Sequence, residues 1–182
     1  FTDFLGRPAR LVRFDPDGKR LSSLEWTQGI EAQNQFSDGY PVLLISEASL
    51  TGLNDKLQSA GSNTVSMLRF RPNIVIGDAP AAADKLEAHD EDRLESFQIS
   101  TEQGLVHLKP VKPCPRCPMP NIDPATATVS PEVGDMLQTY RQDARVKGAP
   151  TFGMNLVAIQ QGAHQDCLLK VGQTVSANYL FE

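Results

Sequence analysis

Apolar and polar positions alternate over Leu11-Val12-Arg13-Phe14, and Asp15-Pro16-Asp17-Gly18 follows with turn-forming residues, so the pattern predicts a strand closed by that turn. Residues from about 22 to 36 carry no clear period. Pro41-Val42-Leu43-Leu44-Ile45 reads as a buried strand, and Ser46 as the cap of a helix running to about Gln58 with Ala48, Leu50, Leu53 and Leu57 along its apolar side. A second strand is expected over Met67 to Gly77, with Arg69 and Arg71 leading into it. Ala79 to Glu95, alanine-rich and then acidic, reads as an exposed loop or short helix.

Leu94 to Ile99 and Gly104 to Val111 have the character of short strands. Ser130-Pro131-Glu132-Val133 starts a helix, with serine as cap, proline in the first turn, and Met136, Leu137 and Tyr140 facing inward. Phe152 to Ile159, a turn near Gln161-Gly162, and Leu168 to Val175 complete the chain as strands. No internal repeat is visible. Many short strands with two good helices predict a mostly β fold with a few helices (α+β), built as a barrel or a strongly bent sheet.

The chain has 182 residues, enough to bury one full core, and the expectation is a single domain over 1–182. Hydrophobic residues at 40% and charged residues at 21% are ordinary for a globular protein. A net charge of −5 supplies no footprint for a nucleic-acid polymer. No apolar run approaches the ~20 residues of a membrane-spanning helix, and Phe1 to Arg7 lacks a signal-peptide pattern. The opening without methionine suggests a fragment or processed form. Three cysteines, two of them three positions apart, do not make a disulfide framework, which points to a reducing, cytoplasmic location.

Chemistry concentrates in Lys112-Pro113-Cys114-Pro115-Arg116-Cys117, followed by Pro118-Met119-Pro120-Asn121-Ile122-Asp123-Pro124. So much proline predicts neither helix nor central strand. The Arg116 guanidinium adjacent to Cys117 favours a thiolate, the form that ligates metals or attacks electrophiles. Structural zinc needs four ligands, and beyond the pair there are only Cys167 and the scattered His89, His107 and His164. A thioredoxin-like redox pair would open a helix, and none begins here. Two cysteines simply filling a loop, or one thiolate on a soft metal centre completed by a cofactor, both remain open.

Asp38-Gly39-Tyr40-Pro41, Ser46-Glu47-Ala48-Ser49-Leu50, Phe70-Arg71-Pro72-Asn73-Ile74-Val75-Ile76, the Lys112 to Cys117 segment, and Phe152-Gly153-Met154-Asn155 with Val171-Gly172 together resemble the MOSC (molybdenum cofactor sulfurase C-terminal) domain family. The likeness is to the branch containing the mitochondrial amidoxime reducing component and YcbX-like proteins, and it covers nearly the whole chain from about Phe4. It implies a β-barrel-like domain carrying a molybdenum cofactor (molybdopterin), with Cys117 as catalytic residue and metal ligand. It further implies cofactor contacts from Arg71 and Asn73, from Arg116, and from Ser37, Asp38, Gly39 and Tyr40. Cys114 receives no catalytic duty.

The family's Asp-Pro-x-Thr-Gly turn stands here as Asp123-Pro124-Ala125-Thr126-Ala127, without the glycine that eases a left-handed turn. The resemblance also implies an N-terminal barrel domain, which this chain is expected to lack, and a ferredoxin-like domain added by some members, which is not expected here either. The resulting expectation is an oxidoreductase domain that reduces small N-hydroxylated compounds, with electrons from a separate donor protein, since no zinc, haem, flavin or iron-sulfur motif occurs. The alternatives are a carrier module for molybdenum cofactor or sulfane sulfur, and a β domain that has kept the pattern without the cofactor.

Overall fold

The computed structural model describes residues 1–79, 84–159 and 166–180. Among them lie four helices, α1 (Thr2–Leu5), α2 (Leu24–Thr27), α3 (Glu47–Ser59) and α4 (Glu132–Tyr140). Seven strands accompany them: β1 (Val42–Ser46), β2 (Ile74–Ile76), β3 (Leu94–Thr101), β4 (Gly104–Pro115), β5 (Gln142–Asp143), β6 (Ala149–Ile159) and β7 (Val175–Tyr179). One sheet runs in the order β2-β1-β6-β4-β3-β7, with β5 on β6, and curls into a half-barrel, the mostly β, α+β architecture expected. Only β1 and β2 are parallel, joined by the crossover that contains α3.

The continuous apolar run of β1 is explained by burial on both faces. Successive side chains point to opposite sides of a strand, so Leu44 joins a core with Phe97, Leu108, Met154 and Leu156. Ile45 joins a second core with Leu53 and Leu57 of α3, Val133 and Leu137 of α4, Phe70 and Phe152. Each fully buried side chain of this size contributes about 1.5–3 kcal/mol. β6 comes so close to β1 that a Cβ on Gly153 would lie 2.6 Å from Ile45 Cγ1 and 2.7 Å from the Leu44 carbonyl oxygen, at a φ of +83°. Only glycine fits there.

Ser46 caps α3 as expected, its Oγ accepting the Ser49 N–H at 3.0 Å. His107 is an ordinary residue of β4, opposite Gln98. Other expectations fail for definable reasons. Leu11 to Phe14 finds no sheet neighbour and is not a strand, although the turn after it forms, Gly18 N donating to Asp15 O. The Met67 to Gly77 strand shrinks to three residues, because Met67–Arg69 is a 3-10 turn and Arg71 is left-handed at φ 55°. Leu168 to Val175 is mostly irregular, broken by a turn at left-handed Gly172, and the strand that pairs with β3 starts at Val175.

The largest surprise is β4, which carries Pro110, Pro113 and Pro115 while lying inside the sheet order. Its first half, Gly104 to Leu108, pairs with β3, but from Lys109 on it pairs only with β6, with irregularities between Pro110 and Lys112 and between Pro113 and Pro115. With one side of the strand free, the missing N–H groups cost little. At α4, Pro131 rather than Ser130 occupies the cap position, and capping comes from a distant side chain: Asn121 Oδ1 accepts the Gly134 N–H at 2.8 Å. The turn expected near Gln161-Gly162, His164, and 80–83 of the acidic stretch lie outside the described residues.

Candidate cofactor site

β4 delivers Cys114 half-buried within its last turn of ladder, and Cys117 exposed just beyond it. Between them, the Arg116 backbone N–H donates to Pro150 O at 2.8 Å, anchoring the segment to β6. The Arg116 side chain turns inward. It donates from Nη1 to Cys114 Sγ at 3.2 Å and from Nη2 to Phe70 O at 3.0 Å, and stands over the Phe70 ring at 5.5 Å. The guanidinium expected to favour the Cys117 thiolate therefore touches the other sulfur. Its Nε is buried with no partner among the described residues.

Phe70 leads directly into Arg71-Pro72-Asn73, so the Arg116 bond ties the cysteine loop to that turn. The Phe70 ring is fixed from below by Phe152, centroids 4.3 Å apart. Arg71 is exposed, left-handed although it precedes a proline, and has no hydrogen-bond or ion-pair partner among the described residues. Backbone in that region costs of order 1–3 kcal/mol and persists where the surroundings over-determine it. Those surroundings include Asn73, whose Oδ1 accepts Leu43 N–H at 2.8 Å while its own N–H donates to Leu43 O at 2.9 Å. The amide is thus a strand-end clip that leaves its NH2 donors.

Ser37, Asp38, Gly39 and Tyr40 form the bend entering β1, three residues before Leu43. Arg20 holds this bend from the other side, donating to Gln35 O, Ser37 O and Asp38 O, each at 2.6 Å. Ser37 Oγ donates to Asn34 Oδ1. Tyr40 lies beside β4: the Lys112 ammonium is 5.9 Å from its ring centre and 4.9 Å from that of Trp26. Burial raises the Tyr40 pKa, and a hydrogen bond with Ser23 opposes that rise. Cys117, Arg116, Arg71 and Asn73 thus share one neighbourhood, and the Ser37 to Tyr40 bend joins it through the β1 entrance and Lys112.

Two features escaped the sequence. Arg69, one residue before Phe70, reaches across 51 and 54 positions to donate to Pro120 O at 3.2 Å and to Asp123 Oδ2 at 3.3 Å. The Arg69-Phe70-Arg71 alternation was its only trace. The second is a polar cluster at the C-terminal end of β1. The acidic stretch, expected to be exposed, buries Asp90 and Glu91, and Glu91 is fully covered. Glu91 Oε2 accepts from Ser46 Oγ at 2.9 Å and Ser49 Oγ at 2.7 Å, and His89 N–H donates to Ser49 Oγ at 2.8 Å. Burial pushes the Glu91 pKa up, against the pull of the Ser49 bond. Beside it Arg141 pairs with Asp92.

The match to known proteins follows the same residues. The model of the MOSC domain matches residues 31–176, from the bend before β1 to the start of β7. The chain belongs to the MOSC domain family. Within it, this MOSC domain is similar to the cattle (Bos taurus) mitochondrial amidoxime reducing component 2, 32% identical over 184 residues, covering 96% of this chain and 49% of that protein. It is also similar to the human mitochondrial amidoxime-reducing component 1 (33% over 183 residues, 96% and 48%) and to rat component 2 (36% over 186 residues, 96% and 49%). The chain spans about half the length of the curated relatives it matches. Among the described residues, no three Cys, His, Asp or Glu side chains gather into a metal-holding group, and no helix is long and apolar enough to cross a membrane.

Proposed function

We propose that this MOSC domain holds a molybdenum cofactor and takes part in reducing small N-hydroxylated compounds. The observation that carries the reading is the placement of an exposed thiol, Cys117, on a loop bonded to a turn that presents the exposed, unpaired guanidinium of Arg71. The donor set fits the group: a thiolate is the protein ligand a soft metal centre accepts, and a guanidinium with amide donors suits a phosphate-bearing, hydrogen-bonding pterin. The amidoxime reducing components among its relatives support the substrate class.

In this reading Cys117 is the protein's ligand to molybdenum. Arg71 and the NH2 group of Asn73 hold the pterin phosphate and edge, the half-buried Arg116 stiffens the loop from behind, and the Ser37 to Tyr40 bend closes the other side. The cofactor, when bound, supplies a two-electron reduction in which the N-hydroxyl oxygen leaves as water. Electrons come from a separate donor protein, and further cofactor contacts come from an N-terminal barrel domain. The proposed location is cytoplasmic, a reducing compartment where Cys114, Cys117 and Cys167 remain free thiols; the relatives are named as mitochondrial components.

The test uses full-length protein from a cofactor-producing host. Cys117→Ser should lower reduction of an aryl amidoxime by at least about a hundredfold with the melting temperature unchanged, because a hydroxyl does not replace a soft thiolate. Cys114→Ser should be far milder. Full activity in Cys117→Ser, or absence of molybdenum in the unaltered protein, would overturn the reading.

A further inference from the structure

We infer that Arg69 is a positioning residue that fixes the Cys117 loop against Arg71-Pro72-Asn73, an inference that rests on the site proposed above. The loop from Arg116 to Pro131 has its own internal order: Asn121 N–H donates to Pro118 O at 3.0 Å, Ile122 N–H to Met119 O at 3.0 Å, and Asp123 N–H to Thr128 O at 2.9 Å. It is therefore braced as a small unit. Asn121 fastens that unit to α4 through the Gly134 N–H. Toward Arg71, the unit is fastened by Arg69, which bonds both ends of the short segment Pro120 to Asp123 with a side chain only 12% exposed.

A planar guanidinium with two acceptors fixes orientation as well as distance, which a single contact does not. Arg69 and Arg71 are separated only by Phe70, whose ring is locked on Phe152 and whose carbonyl accepts Arg116. Cys117 consequently sits between two arginine clamps that meet at one tripeptide, Arg116 reaching into it from the β4 side and Arg69 reaching out of it to the loop side. Removing Arg69 releases the loop side alone. The thiol then keeps its chemistry and loses its fixed place relative to Arg71.

The experiment measures amide hydrogen exchange by mass spectrometry on the full-length protein, together with molybdenum per polypeptide. In Arg69→Met, protection over residues 117–128 should fall about tenfold while peptides from β4 and β6 hold theirs, as expected for local rather than global opening. Molybdenum retained after dialysis should fall by a similar factor, and the KM for an amidoxime should rise more than kcat falls in the molecules still loaded. Arg69→Lys, with charge but no fork, should recover part of the protection, and Asp123→Asn should lose less than Arg69→Met because the Pro120 bond survives. Unchanged exchange over 117–128, or an equal loss across the whole sheet, would overturn the inference. If the exchange behaves as described and the unaltered protein holds no molybdenum, the positioning role stands and the proposed function falls.

Discussion

Two polar networks flank the Phe152 ring, a rear one at His89 and a front one at Phe70, and they are built in opposite ways. In the rear network, Ser46, Ser49 and Glu91 are buried and hydrogen-bonded to one another, and half-buried His89 joins through its backbone N–H alone. In front, Arg69 and Arg116 spend their donors on backbone carbonyls, a carboxylate and a sulfur, and the groups they frame, Cys117 and Arg71, point outward unpaired. A buried carboxylate survives only when its hydrogen bonds are met, so the first network is committed to holding α3 and β1 together. The second leaves capacity over. That difference separates a polar cluster that specifies structure from one that can receive a ligand.

The comparison breaks first at Glu91. Glu91→Ala leaves both serine hydroxyls without their acceptor and should cost about 3 kcal/mol in urea unfolding, with cofactor content per folded molecule unchanged. Cys117→Ser should do the reverse. If Glu91→Ala proves neutral to stability and destroys cofactor binding, the two regions have been assigned the wrong way round.

A pH profile sharpens the same contrast. Burial, with Arg141 and then Lys56 nearby, pushes the His89 pKa down to about 4. Its folded value lies below its ordinary 6.5, so the unfolded chain binds the extra proton first and stability falls as pH drops from 6.5 toward 4. Glu91, shifted upward, contributes a slope of opposite sign above its ordinary 4.5. The difference between His89→Asn and the unaltered protein isolates the histidine, since asparagine tolerates the left-handed backbone at φ 73°. Unfolding free energies for His89→Asn should be flatter over that window; parallel curves would show that the imidazole is not the acid-labile group.

The smallest effect belongs to the front network. Ala127 takes up φ 59°, the left-handed conformation anticipated for the glycine it replaces, with its N–H donating to Asp123 O at 2.8 Å. Ala127→Gly relieves about 1–2 kcal/mol of left-handed strain, partly offset by the greater chain entropy of the unfolded state, so it should stabilise by about 0.5–1 kcal/mol. A loss of stability would mean that the loop is held by its methyl group rather than strained by it.

The parts of the fold that could be read from the sequence were those governed by local rules. Ser46 announced α3 because a serine before an amphipathic run is a cap whatever surrounds it. Cys117, Arg71 and Asn73 were legible as motifs, but their juxtaposition was not, since it depends on Arg69 and Arg116 reaching more than 40 positions along the chain. Glu91 was misplaced for the same reason: charge along a sequence looks solvated until a fold brings two hydroxyls to it. Proline in β4 misled because the rule against central strands presumes two neighbours.

The anchor of the cysteine loop also sets an order of events during synthesis. Pro113 and Pro115 lie against Met154 and Thr151, and Arg116 hangs on Pro150, so the thiol's platform is supplied by residues made more than thirty positions later. On a growing chain, the Arg116 bond to Phe70 O and the Arg69 bonds to Pro120 and Asp123 have their partners first, and the bond to Pro150 comes last. The full set of contacts around the loop is therefore completed only after β6 has been made.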